Sequence, residues 1–488
     1  MSAEALLLTT LLLPLVGAAG IVITRHTPDV REGVTLLTSS LIAVLVVMIA
    51  ARFMDGEAFA LTLMEPLPGI AIAFEIEALG MLFALVAGLL WVVTSIYSIG
   101  YMRAHNEQNQ TRFFAAFAVS IAATMGIAFA ANLFTLFIFY ELLTLSTYPL
   151  VTHAGTPEAK QGGRVYLGIL LGTSIGLFLL GILVTWTLTG RVDFQTGGIL
   201  SGHIDPAWAG LLYALFLFGI GKAAVMPFHR WLPAAMVAPT PVSALLHAVA
   251  VVKAGVFTLL KVTIYIFGGD FILSNDVTGG LIWVAAATIL IASMVAMTKD
   301  NLKARLAYST VSQLSYIVLG AMLASKAGLL GASMHIAMHA FAKITLFFAA
   351  GAIFIASHKK QVSELNGLGR AMPVTFAAFF IGTLSIIGLP PFGGMWSKWY
   401  LGLGAVETAQ LLLLAVLMIS SLLNIIYLLP IPIRAFFSKP DNGEHYTEIA
   451  EAPKSMLLAM LVTSTACVIL FFYPDPFYRL AGLAAGGY

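Results

Sequence analysis

The chain contains 488 residues, of which 60% are hydrophobic and 10% are charged, and its formal net charge at pH 7 is +2. Soluble domains carry about a quarter charged residues, so this composition excludes a water-soluble fold, and the near-neutral charge argues against nucleic acid as a partner. The single cysteine, Cys467, excludes an internal disulfide, an iron–sulfur cluster and a thiolate zinc site. We expect the chain to bind no cofactor and no metal ion.

Apolar segments follow one another along the whole chain, and a membrane span needs about 20 such residues. The N-terminus lacks a basic region, which predicts a retained first span and not a cleaved signal peptide. Short polar loops separate the segments, so we predict an all-α polytopic membrane protein with a single domain over residues 1–488. Fourteen candidate spans, numbered in chain order, are centred near Leu13, Val46, Val86, Ile121, Ile138, Leu177, Leu215, Val256, Ile289, Val311, Thr345, Ile381, Ser420 and Val462.

Basic residues are distributed unevenly between the loops. Sixteen Lys and Arg residues lie in loops that follow odd-numbered spans, whereas only Arg52, Arg191 and Lys326 lie in loops that follow even-numbered spans. Loops rich in Lys and Arg remain in the cytoplasm. The distribution therefore predicts a multi-pass protein of the cell inner membrane with both termini on the non-cytoplasmic side.

Spans 7 and 12 are both interrupted by Gly and Pro, in FGIGKAAVMPFHRWLP and IIGLPPFGGMW. Proline removes a helical hydrogen bond, and at membrane depth such a break persists only inside protein or beside a hydrated cavity. A pair of interrupted spans is typical of internal repeats in transporters. Because the two breaks are five spans apart, we predict two inverted five-helix repeats, spans 4–8 (about residues 112–268) and spans 9–13 (about residues 277–436). Two plain proline kinks are the alternative.

Several ionisable residues lie within the predicted spans. Burying such a charge costs roughly 3 kcal/mol on insertion scales, and intramembrane ionisable groups are therefore functional candidates. Lys261 lies near the end of span 8 and could instead extend to the interface. The set comprises one carboxylate and five lysines: Glu141, Lys222, Lys253, Lys261, Lys343 and Lys398.

Histidines extend this set. His335, His339 and Lys343 are spaced at i, i+4 and i+8 in span 11, so they share one helix face. Imidazole titrates near neutrality, which suits a proton relay. Two histidines at this spacing could instead bind a metal, but no carboxylate or thiol lies near them in the sequence. His247 lies six residues before Lys253, and it either joins the relay or hydrogen-bonds a neighbouring carbonyl.

Five segments carry a family resemblance: FYELLTLSTYPLV, GKAAVMPFHRWLPAAMVAPTPVSALLHAVAVVKAG, DNLKARLAYSTVSQLSYIVLG, HIAMHAFAKITLFF and LSIIGLPPFGGMWSKW. Over roughly residues 75–435 the chain resembles the antiporter-like subunits shared by respiratory complex I, membrane-bound hydrogenases and Mrp-type Na⁺/H⁺ antiporters. It is most similar to the D-type subunit of the Mrp antiporters.

The resemblance implies roles for individual residues. Glu141 matches the span-5 glutamate that pairs with the span-7 lysine, here Lys222, and Lys253 matches the central lysine of span 8. The span-11 relay corresponds to the stripe of His335, His339 and Lys343. Lys398 matches the ionisable residue of span 12 that faces an exit half-channel, a position that is a glutamate in some relatives.

The function expected from this resemblance is proton translocation within a multi-subunit antiporter for a monovalent cation, expected to be Na⁺. Its partners would be other hydrophobic antiporter subunits, and the chain would be a secondary transporter subunit and not an enzyme. The alternatives are a proton-pumping subunit of a redox-driven complex, a silent structural subunit and a self-sufficient transporter. Since Na⁺ is held by several oxygen ligands and Glu141 is the one carboxylate deep in a span, we expect the chain to carry mainly protons.

Overall fold

The computed structural model of the protein describes residues 1–67, 69–440 and 448–486. Within these ranges, each of the fourteen predicted segments coincides with a helix or with an interrupted pair of helices, and the predicted fold class is confirmed. Twelve described helices are long and apolar enough to cross a membrane: Ala3–Ile23, Pro28–Met54, Ala78–Ala104, Gln110–Ala128, Leu133–Val151, Pro157–Thr189, Thr240–Phe267, Gly279–Thr298, Leu302–Leu323, Lys326–Ser357, Leu411–Phe437 and Lys454–Phe472. These are spans 1 to 6, 8 to 11, 13 and 14.

Spans 7 and 12 are the two broken helices. Span 7 starts as Pro206–Gly219 and continues after the break through a 3₁₀ turn at Gly221–Ala223 and two short helical turns, Trp231–Ala234 and Ala235–Val237. Span 12 consists of Pro373–Ile387 and Gly394–Glu407. Each break contains a cis X–Pro peptide bond, at Met226–Pro227 and Pro390–Pro391. The sequence prediction of two interrupted spans is therefore confirmed.

Span 8 is also irregular, which the sequence did not predict. An α-helical turn, Thr240–Ala244, leads into a π-helical segment, Leu245–Val249, and the α-helix resumes at Val251–Val262 before a second π-helical segment, Thr263–Phe267. Such π segments insert one extra residue per turn and occur frequently at functional sites. The first segment contains His247, and it gives this residue a different angle relative to Lys253 from that of a continuous α-helix.

Some elements lie outside the spans. An antiparallel hairpin, β1 (Ala60–Leu67) and β2 (Ile70–Glu75), connects spans 2 and 3, and the apolar patterning did not predict it. Short helices occupy four other connections or ends: Gly269–Asn275, Val362–Leu365, Leu368–Arg370 and Asp475–Ala484.

The core of the molecule is built around spans 8 and 10. The most apolar 18-residue stretch of span 8 is entirely buried and that of span 10 is 94% buried, whereas spans 6 and 13 bury only 33%. Charged side chains on the two central spans are therefore shielded from lipid.

Connections after odd-numbered spans lie at one end of the bundle, and connections after even-numbered spans lie at the other. Residues from the connections after spans 3, 5, 7, 9 and 11 surround one cavity, among them His105, Ala154, Ala238, Lys303 and Lys360. We call this end the basic face. Residues from connections after even-numbered spans surround a second cavity together with the end of span 8, namely Glu77, Ala131, Thr196 and Tyr265, at what we call the opposite face. The alternation deduced from Lys and Arg thus holds in three dimensions.

A single glycine allows span 8 to pack against the break in span 7. A Cβ atom added at Gly255 would lie 2.3 Å from the amide nitrogen of Ala223 and 2.3 Å from the carbonyl carbon of Lys222. Those are backbone atoms, so they cannot rotate away. Gly255 therefore fixes how closely the lysine of the break approaches the lysine of span 8.

Labelling tests the orientation of the basic face. On a Cys467→Ser background, we expect Lys359→Cys to resist a membrane-impermeant maleimide in intact cells and to react once the membrane is permeabilised. Ser201→Cys, which lies in an exposed stretch after span 6, should react in intact cells. Labelling of Lys359→Cys from outside would reverse the predicted orientation.

Substitution of Gly255 tests the close approach of spans 7 and 8. Gly255→Ala should cost about 1–3 kcal/mol, the usual penalty for overpacking a core, and should lower the midpoint of thermal unfolding of the detergent-solubilised protein. Gly172→Ala is the matched control, because nothing lies within 4 Å of a Cβ added there. Identical midpoints for the two variants would mean that span 8 is not packed on the break.

Candidate functional site

Lys222 lies at the break of span 7 and is completely buried. Its Nζ donates to the main-chain carbonyl oxygen of Tyr140 at 2.8 Å and to Oγ1 of Thr144 at 2.5 Å. The same ammonium lies 3.2 Å from the centroid of the Tyr140 ring, which is the geometry of a cation–π contact. Span 5 therefore supplies a carbonyl, a hydroxyl and an aromatic ring to this lysine.

Glu141 lies on the same turn of span 5, but it does not form the expected direct pair with Lys222. No ion pair within 4.0 Å joins these two residues among the described contacts, and neither carboxylate oxygen of Glu141 has a hydrogen-bond partner there although both oxygens are buried. Leu145, one turn further along, is 55% exposed. Glu141 therefore follows a residue that contacts Lys222, yet it lies at the edge of the bundle.

The centre of the molecule brings Lys253 and His339 into direct contact. Lys253 Nζ is 2.6 Å from Nδ1 of His339, and both side chains are buried. Span 8 thus touches span 11 through two titratable groups. The sequence placed both residues in the candidate set but did not predict that they contact each other.

The path continues along span 11 to the break in span 12. The rings of His339 and His335 have centroids 5.6 Å apart, and Nδ1 of His335 lies 2.8 Å from Oγ of Ser397. His335 also stacks on Tyr316 with a centroid distance of 5.8 Å. Ser397 immediately precedes Lys398, so His335 connects the middle of the bundle to the second break.

Lys398 is held in much the same way as Lys222. Its Nζ donates to the carbonyl oxygen of Ile387 and to Oγ of Ser421, both at 3.1 Å, and lies 5.0 Å from the centroid of the Tyr316 ring. Lys398 also lines a cavity of 390 Å³. Each broken span therefore holds a lysine on a carbonyl, a hydroxyl and a tyrosine ring.

Lys343 shares a face with His335 and His339, as predicted, but its ammonium extends elsewhere. Its Nζ donates to Oγ of Ser309 at 2.7 Å and to the Leu306 carbonyl oxygen at 3.3 Å, both on span 10. Tyr427 of span 13 donates to the same Ser309 hydroxyl at 2.9 Å. Lys343 therefore belongs to a branch toward spans 10 and 13 and has no direct hydrogen bond to His339 in the described part of the chain.

His247 is buried, and within the described residues neither ring nitrogen has a hydrogen-bond partner. Its ring packs 4.5 Å from the Phe347 ring, centroid to centroid. The alternative that His247 binds a neighbouring carbonyl is therefore wrong in this structure.

Lys261 does not extend to the interface. It is completely buried, and its Nζ donates to the Ala130 carbonyl oxygen at 2.6 Å and lies 3.2 Å from Oε1 of Glu77. Glu77 precedes span 3, and its oxygens also accept hydrogen bonds from the amides of Leu79 and Gly80. The sequence analysis missed Glu77 as a partner because it lies in a loop.

Several polar residues around the lysines were also missed. Each is a hydroxyl or phenol on a neighbouring span, and alone in an apolar segment such a residue gives only a weak signal. They are Tyr140, Thr144, Ser309, Tyr316, Ser397 and Ser421.

Comparisons with known proteins place the chain in a family. The family described as “NADH:quinone oxidoreductase/Mrp antiporter, TM” matches residues 130–424, and that described as “NADH-Ubiquinone oxidoreductase (complex I), chain 5 N-terminus” matches residues 68–114. The chain is 31% identical over 477 residues to NADH-quinone oxidoreductase subunit N of Desulforudis audaxviator, covering 94% of this chain and 93% of that protein.

Two further comparisons extend the likeness. Hydrogenase-4 component B of Escherichia coli is 30% identical over 429 residues, covering 82% of this chain and 62% of its own length. A chain in the Mrp complex from Dietzia sp. has a TM-score of 0.86 at 24% identity, covering 99% of this chain and 97% of that chain. The last likeness shows that the folds are the same.

These relatives correct one expectation. We predicted a secondary transporter subunit that is not an enzyme, but the relatives include by name an NADH-quinone oxidoreductase subunit and a hydrogenase component, which are parts of redox enzyme complexes. The subunit itself has the fold of a transporter-like membrane protein. The chain belongs to the NADH:quinone oxidoreductase/Mrp antiporter family of antiporter-like membrane subunits.

Proposed function

We propose that the chain translocates protons within a multi-subunit membrane complex, along a path through Lys222, Lys253, His339, His335 and Lys398. The observation that carries this proposal is the contact of 2.6 Å between Lys253 Nζ and His339 Nδ1. A lysine and a histidine at this distance can pass one proton between them, since each nitrogen both binds and releases a proton. The contact also links the predicted first repeat to the predicted second.

Unpaired buried polar atoms along the path support this proposal. Within the described chain, Nε2 of His335, Nε2 of His339 and both carboxylate oxygens of Glu141 are buried without hydrogen-bond partners. Buried polar groups are normally paired, and ordered water satisfies those that protein atoms do not reach. A hydrated path would supply these partners and would carry protons between side chains that do not touch.

A route from the basic face would enter along span 8. The cavity at this face has a volume of 360 Å³ and includes Thr240 and Lys303 in its lining. Thr240 and Ser243 lie one α-helical turn apart, and His247 follows them in the π-helical segment Leu245–Val249. Neither Ser243 Oγ nor either His247 nitrogen has a partner among the described residues. These polar residues lead from the cavity toward Lys253.

The path would leave through the break of span 12. Lys398 lines the cavity of 390 Å³ together with Ser421, Tyr316 and Gly388. Along the proposed path, Lys398 is the titratable residue that follows His335, and it forms part of the cavity lining. Lys343, with Ser309 and Tyr427, would form a side branch that adjusts the charge near His339.

The complex that contains this chain would be redox-driven, as the names of its relatives suggest. Glu141 then lies where a neighbouring subunit could act on it, because the exposed Leu145 is one turn away on the same span. Movement of the Glu141 charge would alter the attraction on the Lys222 ammonium. Coupling would thus pass from the neighbour to Lys222 and onward to Lys253.

An Mrp-type monovalent cation/H⁺ antiporter, with Na⁺ as the exchanged ion, is the second candidate. It is supported by the family description, which names the Mrp antiporter, whereas the TM-score of 0.86 to a chain of an Mrp complex shows a shared fold only. Co-purification separates the two: flavin-containing or iron–sulfur partners would indicate a redox complex, and small hydrophobic antiporter subunits would indicate the Mrp type.

Exchange of the central histidine tests the proposed path. Glutamine preserves hydrogen bonding but does not exchange a proton, so His339→Gln should slow proton translocation by roughly 100-fold, within the range for a positioned proton-transfer group. His335→Gln should slow it less, because His335 is one step further from Lys253. The measurement is the rate of acidification in inverted membrane vesicles at matched levels of the complex. His358→Gln, an exposed histidine at the basic face, is the control, and a normal rate for His339→Gln would exclude this path.

Substitutions at Lys222 and Glu141 test whether the lysine carries protons. Lys222→Arg should abolish translocation, because a guanidinium does not deprotonate in proteins. Glu141→Gln should also abolish it by removing the charge, whereas Glu141→Asp should retain partial activity. The exposed carboxylate of Glu158 provides the control variant Glu158→Gln, which should transport normally. A fully active Lys222→Arg variant would show that Lys222 holds a fixed charge and would favour a silent structural role.

A further inference from the structure

A second group of titratable residues lies at the opposite face and takes no part in the path described above. Lys261 is completely buried, while the side chain of its partner Glu77 is 21% exposed. The hydroxyl of Tyr265 donates to Oε2 of Glu77 at 2.9 Å. The Lys261 ammonium also lies 4.3 Å from the centroid of the Phe194 ring. One member of the ion pair is thus fully desolvated, and the other reaches water.

These residues line a cavity of 90 Å³ at the opposite face. The lining includes both carboxylates, Glu75 and Glu77, together with Thr196 and Tyr265. Glu75 and Thr196 are exposed, so the cavity faces solvent. Its volume exceeds what one water needs, and its acidic wall favours cations, hydrated protons included.

Lys261 also lies on the helix that carries the centre of the site. It is eight residues after Lys253 on Val251–Val262, which corresponds to about 12 Å along an α-helix. The buried hydroxyl of Thr258 lies between them in the sequence. Tyr265 belongs to the π-helical segment Thr263–Phe267, and such segments recur at functional sites.

We propose that Glu77 and Lys261 form a proton port that connects span 8 with solvent at the opposite face. In one direction, the Lys261 ammonium gives its proton to the Glu77 carboxylate, which leaves a neutral amine and a neutral acid. Glu77 then releases the proton to water in the cavity, and Lys261 accepts another from the interior. Each step moves one proton and requires no other reactant. The port rests on the proposed proton translocation and adds a second exchange point besides Lys398.

A purely structural ion pair would need no cavity. It would join span 3 to span 8 equally well with both partners sealed from water. The contrast in exposure between Lys261 and Glu77, and the open lining at Thr196, are what a port requires. Glu77 has a structural task as well, since it caps span 3 through the amides of Leu79 and Gly80.

Chemical blocking of the cavity tests the port without altering the ion pair. Thr196→Cys on the Cys467→Ser background is treated with a membrane-impermeant trimethylammonium methanethiosulfonate, in membranes that hold the chain in its native assembly. The attached positive charge should slow proton translocation by roughly tenfold, because a like charge in a narrow pore raises an electrostatic barrier. Ser201→Cys, exposed but outside the cavity lining, should be labelled without loss of rate. An unchanged rate after complete labelling of Thr196→Cys overturns the port.

Two substitutions provide a second readout. Glu77→Gln keeps an acceptor oxygen for the cap of span 3 but removes the charge, so the complex should assemble normally and translocate protons at a rate reduced several-fold or more. Asp270→Asn, which changes an exposed carboxylate after span 8 and outside the cavity lining, should retain normal activity. Normal translocation by an assembled Glu77→Gln variant also rejects the port. If the unmodified complex itself translocates no protons, the proposed function fails and not the port alone.

Discussion

An ammonium group inside a membrane protein has to find its hydrogen-bond partners within the protein, and this constraint organises the structure. Three lysines within the spans, the buried Lys222 and Lys343 and the half-buried Lys398, meet it in one way. Each bonds a main-chain carbonyl and a side-chain hydroxyl: Lys222 on span 5, Lys343 on span 10, and Lys398 on the break of span 12 and on span 13. Because an ammonium has three N–H donors and one carbonyl accepts only part of them, a serine or threonine hydroxyl lies beside each of these lysines. The sequence prediction included the lysines but not these hydroxyls, because a single serine or threonine in an apolar segment is a weak signal.

Two other buried lysines differ from this pattern: Lys261 pairs with the Glu77 carboxylate, and Lys253 has a partner that its central position explains. Instead of a carbonyl and a hydroxyl it contacts the imidazole of His339, which can itself bind a proton. Span 8 holds this lysine in place with an irregular helix, two π-helical segments and the close approach at Gly255. The first π-helical segment and Gly255 thus lie on either side of the lysine that contacts span 11. A regular α-helix through Leu245–Val249 would place His247 at a different angle relative to Lys253.

Much of the fold could be read from the sequence, because apolar length and proline position are local properties. The fourteen spans, the two breaks and the alternation of basic loops all follow from such local patterns. Contacts between spans depend on helix rotation and tilt, which local patterns do not define. For this reason the sequence grouped Lys343 with His339, whereas the structure directs Lys343 to Ser309. It also paired Glu141 directly with Lys222, whereas the lysine contacts Thr144, and it gave Lys261 no partner although Glu77 lies 3.2 Å away. The hairpin before span 3 was missed because its two strands show no regular alternation of buried and exposed residues.

The carbonyl, hydroxyl and tyrosine ring that surround Lys222 and Lys398 affect how easily each lysine can lose its proton. A carboxylate in direct contact with such a lysine would become an unpaired buried negative charge whenever the lysine lost its proton. The groups that hydrogen-bond to Lys222 and Lys398 are all uncharged, so loss of the proton leaves no charged group in direct contact with the neutral amine, and the carboxylate of Glu141 acts on Lys222 only from a greater distance. A hydroxyl can also reverse its role, accepting a hydrogen bond from the ammonium and donating one to the lone pair of the neutral amine. Thr144 and Ser421 can therefore satisfy either form of their lysine by turning one O–H bond, without any movement of the helices that carry them.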